Sequence, residues 1–128
     1  MSHKRIFDFM HARGCKVLMH SCGFIEPFLP YIVEAGLDCL QAMEVKAGMD
    51  PIRIHKNYGD KIALFGGMDV RVLSSNDKSQ IDKELEKLPV LMQNYGYILH
   101  SDHSIPDTVE YETYRYFLDK ALQLGTYK

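Results

Sequence analysis

Apolar residues along this chain fall into two alternating kinds of run: short unbroken blocks, and longer stretches where they recur every three or four positions. The second kind predicts a helix from about Lys4 to Ala12, with Ile6, Phe7 and Met10 on one face and Gly14 as its stop. Lys16 to Met19 reads as a buried strand ending at His20. Ile25, Phe28, Leu29, Ile32 and Val33 then keep helical spacing, with Pro27 in the first turn and Gly36 past the end. Pro30 is less comfortable there and is expected to tighten or bend that turn. Asp38 to Ala42 predicts a second strand, leading to Glu44. Asp50 and Pro51 form a cap and first position for a helix that stops at Gly59. Lys61 to Phe65 predicts a third strand, running into Gly66, Gly67, Met68 and Asp69. From about Asp77, Ile81, Leu85, Leu88 and Met92 mark a helix that Pro89 should kink or split. Tyr97 to Leu99 predicts a fourth strand, reaching His100, Ser101, Asp102 and His103. A last helix is expected from Val109 to Leu124, capped by Thr108, with Glu110 and Glu112 early and Lys120 late, as the helix dipole favours.

One helix followed by four strand–helix units implies parallel strands joined by right-handed crossovers, an α/β fold. The strands are short and continuously apolar, as expected when both faces of a sheet are covered. Four such units make half of a (β/α)8 TIM barrel; a small open sheet of flavodoxin type is the other solution. The chain has no GxGxxG or GxxxxGK[ST] loop, which weakens a nucleotide-binding version of the open sheet.

Composition narrows the class. The 128 residues, 46% hydrophobic and 25% charged, suit one globular domain spanning 1–128. A formal charge of -2 without a basic block argues against nucleic acid or an anionic membrane as partner. No apolar run reaches the length of a membrane span, and the N-terminus lacks a signal peptide's hydrophobic centre. Three cysteines are an odd number and make no disulfide framework, so a reducing, cytoplasmic setting is expected.

Every predicted strand ends in an ionisable or metal-binding side chain: His20 and Cys22, Glu44, Asp69, then His100, Asp102 and His103. Barrel enzymes place their reacting groups at those ends, and imidazole with thiolate is a good donor pair for catalytic zinc. Each residue also has a plainer use. His20 and Cys22 could be a backbone-bonded histidine beside a buried thiol, His103 could cap a loop before Pro106, and Asp69 could close a turn. Cys15 and Cys39 read as core thiols; His3, His11 and His55 read as solvated surface.

In their order, these segments resemble the C-terminal part of the uroporphyrinogen decarboxylase superfamily. The resemblance is carried by His20-Ser21-Cys22-Gly23, Glu34-Ala35-Gly36-Leu37-Asp38, Tyr58-Gly59-Asp60-Lys61-Ile62 and Phe65-Gly66-Gly67-Met68-Asp69. It continues through Gly96-Tyr97-Ile98, Asp102-His103-Ser104-Ile105-Pro106 and Leu124-Gly125-Thr126-Tyr127. It implies a (β/α)8 fold and a small-molecule substrate. The superfamily includes zinc-dependent methyltransferases that move a methyl group between a cobamide, the corrinoid of a partner protein, and a thiol or methoxy compound. That branch binds zinc through His-x-Cys and a second cysteine in the last strand's loop. His20 and Cys22 match the first two positions. The third falls at or next to His103, where this chain has no cysteine; His103 could replace it, with Asp102 or His100 as alternatives. Glu44 and Asp69 would orient ligands. The metal-free decarboxylase branch is the second implication, with His103 at a substrate-contacting position. A non-catalytic fragment or assembly subunit is the third.

A half barrel would expose two sheet edges and an apolar face. Self-association as a homo-oligomer, or pairing with an N-terminal half on another chain, is therefore expected.

Overall fold

The computed structural model describes residues 2–94 and 96–127. Four parallel strands, β1 (Leu18–Ser21), β2 (Cys39–Ala42), β3 (Ala63–Gly66) and β4 (Tyr97–Ile98), form one sheet in the order β1-β2-β3-β4. Sequential order with parallel pairing requires a crossover between each pair, and the helices supply it. This is the α/β sheet of part of a (β/α)8 barrel. A Met68–Ser101 bridge carries the β3–β4 pairing past the ends of both short strands.

Register decides which residues share a face. Met19, Leu40, Leu64 and Tyr97 stand at one level, and His20, Gln41, Phe65 and Ile98 at the next. Successive side chains of a strand point oppositely, so these two levels face opposite sides. Leu40 and Leu64 are fully buried against the helices with Leu29, Ile54, Ile81 and Leu85. The other side carries Leu18, which is 50% exposed, and Ile98, which is 48% exposed. The expectation that both faces are covered is thus corrected. Unbroken apolar strands are compatible with two covered faces, but this chain's helices cover only one.

The helical layer also departs in detail from the periodicity. α1 (Ser2–His11) buries Phe7, while Ile6 lies out in solvent. The stretch expected as one helix after β1 divides into a 3-10 turn, Glu26–Phe28, and α2 (Leu29–Glu34). The division explains Pro30: it occupies the first turn of α2, where a missing N–H costs nothing. A second 3-10 turn, Val45–Ala47, follows β2. α3 (Pro51–Tyr58) begins as expected, with the Asp50 carboxylate accepting from the N–H groups of Ile52 and Arg53 at 2.9 and 3.2 Å.

After β3, α4 (Val70–Ser74) was not anticipated; Asp69 caps it by accepting from Arg71 N–H at 2.9 Å. α5 (Lys78–Leu85) and α6 (Leu88–Leu91) are the two parts into which Pro89 divides the next helix. α7 (Tyr111–Leu124) starts two residues later than expected, after Glu110. Asn76 is the reason: its amide donates to Thr108 C=O and accepts from Glu110 N–H, both at 2.9 Å, holding that stretch as a loop.

Gly66 and Gly67 form the crossing of β3 into its loop with φ of 110° and 82°. A Cβ on Gly66 would stand 2.6 Å from Ala42 C=O, and one on Gly67 would stand 2.7 Å from Pro51 Cβ. Both the conformation and the space therefore demand glycine. Among the described residues no helix is long and apolar enough to cross a membrane.

Candidate functional site

The candidate site residues stand at or beyond the C-terminal ends of the strands, starting with β1. His20 lies inside the strand rather than after it, since β1 runs two residues further than the hydrophobic block suggested. Its register partner on β2 is Gln41, and His20 Nδ1 is 2.5 Å from Gln41 Oε1. An amide oxygen only accepts, so Nδ1 is the donor of this contact. Nε2 in turn lies 3.3 Å from Cys22 Sγ. Histidine and thiol are both exposed on the open side of the sheet, so the reading of Cys22 as a buried thiol does not hold. Gln41 escaped the sequence reading, which searched strand ends for ionisable groups. The position facing a strand-end histidine across a parallel register was the signal to look for.

Glu44 and Asp102 bind the loops to one another. Glu44 Oε2 accepts from Gly23 N–H at 2.6 Å, fixing the turn that follows Cys22. Asp102 is 3% exposed; one carboxylate oxygen accepts from Val45 N–H at 2.8 Å and the other from Val70 N–H at 2.9 Å. Three strand-end loops therefore meet on one carboxylate. Asp69 is buried as well, with its oxygens held by Arg71, whose guanidinium approaches to 2.6 Å. Burial alone would push the Asp69 carboxyl up, but the Arg71 hydrogen bonds and charge hold it below the usual carboxylate range. The Asp69 N–H donates to Glu84 Oε1 at 2.9 Å, and Glu84 pairs with Lys87.

His100 packs its ring edge on Phe65, centroids 5.1 Å apart, and its Nδ1 is 2.5 Å from Ser101 C=O. His103 is exposed in the loop beyond β4, and its carbonyl accepts from Ser101 Oγ at 2.5 Å. Because β1 and β4 are opposite edges of the sheet, His103 does not stand with His20 and Cys22. Among the described residues no three His, Cys, Asp or Glu side chains are grouped to hold a metal ion.

The other end of the sheet is built for stability. The Asp38 carboxylate receives Lys16 Nζ at 2.8 Å, Val17 N–H at 2.8 Å and the His11 ring at 2.7 Å. Burial opposes its ionisation, but these donors outweigh it and hold the group well below the usual range. His11 is exposed, as expected, and its contact with Asp38 also ties the end of α1 to the start of β2. Of the two cysteines read as core thiols, Cys39 is buried and Cys15 is exposed. Burial, then the Asp38 charge, pushes the Cys39 thiol up.

The profile of the family described as uroporphyrinogen decarboxylase (URO-D) matches residues 1–123. The chain belongs to the URO-D family. That membership fits the arc of parallel strands and the concentration of polar groups at their C-terminal ends. A search among curated proteins found no match. The zinc sites of the family's methyltransferase branch set a test for the His20–Cys22 pair. With Zn–N near 2.1 Å and Zn–S near 2.3 Å, two donors of a tetrahedral site stand roughly 3.5 Å apart. The observed 3.3 Å is close to that spacing and is also the length of a hydrogen bond between thiol and imidazole; among the described residues no third donor is grouped with the pair.

Proposed function

We propose that this URO-D-like protein serves methyl transfer between a corrinoid carried by a partner protein and a thiol or methoxy substrate. His20 and Cys22 would be zinc ligands. The observation that carries this reading is the chain of contacts from Gln41 to His20 to Cys22, an oriented imidazole beside a thiol on the open side of the sheet. When bound, zinc would hold a substrate thiol as thiolate at neutral pH. The residues of this chain would do the rest. Gln41 sets the tautomer of His20, Glu44 fixes the turn after Cys22, and Phe65 and Ile98 provide apolar contact at the level of the imidazole. His103 stands at or next to the family's third position but at the opposite edge of the sheet, so it would serve as third donor only if brought to the pair, and Asp69 with its Arg71 partner would keep the β3 loop in shape. A corrinoid on the partner protein would supply the methyl group, and His20 and Cys22, through zinc, would hold the substrate thiolate that accepts it.

Elemental analysis of protein purified without chelator or histidine tag tests this. The expected result is about one zinc per site, lost in His20→Ala and Cys22→Ser. Protein that takes up no zinc when offered it would sink the methyl-transfer chemistry.

The second reading is a metal-free relative of the tetrapyrrole decarboxylases. It is favoured by one observation: no three donors of the described residues are grouped for a metal. Binding of a porphyrinogen by zinc-free protein, unaffected by Cys22→Ser, would select it.

A further inference from the structure

Cys22 opens the turn that leads from β1 to α2, and this turn is held by a different segment of the chain. Three contacts join it to the stretch between β2 and the first turn of α3, in the same order along both. Gly23 N–H donates to Glu44 Oε2 at 2.6 Å. The Phe24 ring lies against Gly48, where an added Cβ would stand 3.5 Å from Phe24 Cδ2. Both oxygens of Glu26 then accept from the Arg53 guanidinium, Oε1 from Nε at 2.7 Å and Oε2 from Nη2 at 2.5 Å. Arg53 is itself fixed in the first turn of α3: Nη1 lies 3.5 Å from Asp50 Oδ2, and Nη2 also donates to Gly48 C=O at 3.4 Å.

We propose that the Glu26–Arg53 fork positions Cys22, setting the turn so that the thiol stays beside His20. Stability is not its main use. The Arg53 side chain is 47% exposed, and an ion pair open to solvent adds little to folding. What a two-bond fork adds is direction, because a planar guanidinium that meets both carboxylate oxygens admits one relative orientation. Direction is what Cys22 lacks from its own strand. β1 ends at Ser21, and Gly23 turns the chain at φ 78° with nothing within 4 Å of where its Cβ would lie. A glycine in open space leaves the turn free to pivot. Glu44 holds its near end and Arg53 its far end. With both ends held, Cys22 Sγ keeps its 3.3 Å contact with His20 Nε2.

Lysine at position 53 would neutralise Glu26 as a point charge but fix no orientation. Arg53→Lys therefore separates direction from charge. A pair that serves charge or stability alone keeps its effect in the lysine variant; a pair that sets the turn loses it.

The use made of the His20–Cys22 contact rests on the zinc reading above; the positioning does not, and it is measured in zinc-free protein. Nitrogen NMR of His20 at fixed pH reports the surroundings of Nε2, with Cys22→Ala as the reference for an imidazole without its thiol. Arg53→Ala should move the Nε2 signal most of the way to that reference, and Arg53→Lys should move it in the same direction. Glu26→Arg with Arg53→Glu rebuilds the fork with its ends exchanged and should bring the signal back. A native-like signal in Arg53→Lys, or a double variant that stays at the reference value, would overturn the proposal. Should Arg53→Ala fail to fold, those two variants decide it. Offered zinc alone, Arg53→Lys should bind about tenfold or more weakly than the native chain. Equal affinity would overturn the link from the fork to the metal. A native chain that takes up no zinc would overturn the methyl-transfer reading, and the NMR comparison would still decide the fork.

Discussion

His20 and Gln41 are register partners on adjacent parallel strands, and their side chains meet at 2.5 Å. A histidine whose Nδ1–H is committed in this way keeps one tautomer and one ring orientation. Replacing Gln41 with leucine removes the acceptor at nearly constant volume. Nitrogen NMR of His20 should show the Nδ1–H form in the native protein and a shift toward Nε2–H in the variant; on the zinc reading proposed above, zinc affinity should fall about 10–100-fold as well. An unchanged tautomer would show that Gln41 does not position the ring.

Asp102 predicts a second effect, on stability alone. Its two oxygens satisfy Val45 N–H and Val70 N–H in a buried setting. Asp102→Ala leaves both donors without partner, each worth about 1–3 kcal/mol. Urea unfolding should give a loss of about 2–4 kcal/mol with an unchanged m value, since the surface exposed on unfolding hardly alters. A loss under about 0.5 kcal/mol, the range of an ordinary surface change, would contradict the tie between loops.

Asp38 predicts the acid limb of stability. Its folded carboxyl is held below the ordinary value of 3.8. A depressed carboxyl contributes stability that is fully present above the unfolded pKa and lost as pH falls through the folded one. The native protein should therefore weaken steadily below about pH 4. Asp38→Asn should be less stable near neutrality and show a flatter acid limb, checked by thermal unfolding across pH. Parallel curves for the two proteins would refute this.

Gly67 predicts a backbone effect. At φ 82°, with Pro51 Cβ 2.7 Å from where a Cβ would lie, alanine meets both conformational and steric cost. The conformational part alone is about 1–2 kcal/mol. Differential scanning calorimetry should show a lower Tm for Gly67→Ala than for an alanine replacement at exposed Gly14, where nothing lies within 4 Å.

Local chemistry made much of this protein legible in its sequence. Four short apolar blocks separated by helical spacing specify an alternating α/β chain, because strand and helix periods differ. Asp50-Pro51 marks a helix start, and Pro89 divides a helix, because a capping carboxylate and a missing N–H act within one turn. The His20-Ser21-Cys22-Gly23 segment marks a donor pair, since two residues' separation keeps both side chains within reach. Tertiary structure decided what depends on residues distant in sequence. Gln41 meets His20 only through strand register, and Asp102 binds Val45 and Val70 only where three loops converge. Asn76 delays the start of α7 from more than thirty residues away. Whether an apolar strand face is covered is likewise set by where the helices pack, and here Leu18 and Ile98 are left open while Leu40 and Leu64 are sealed.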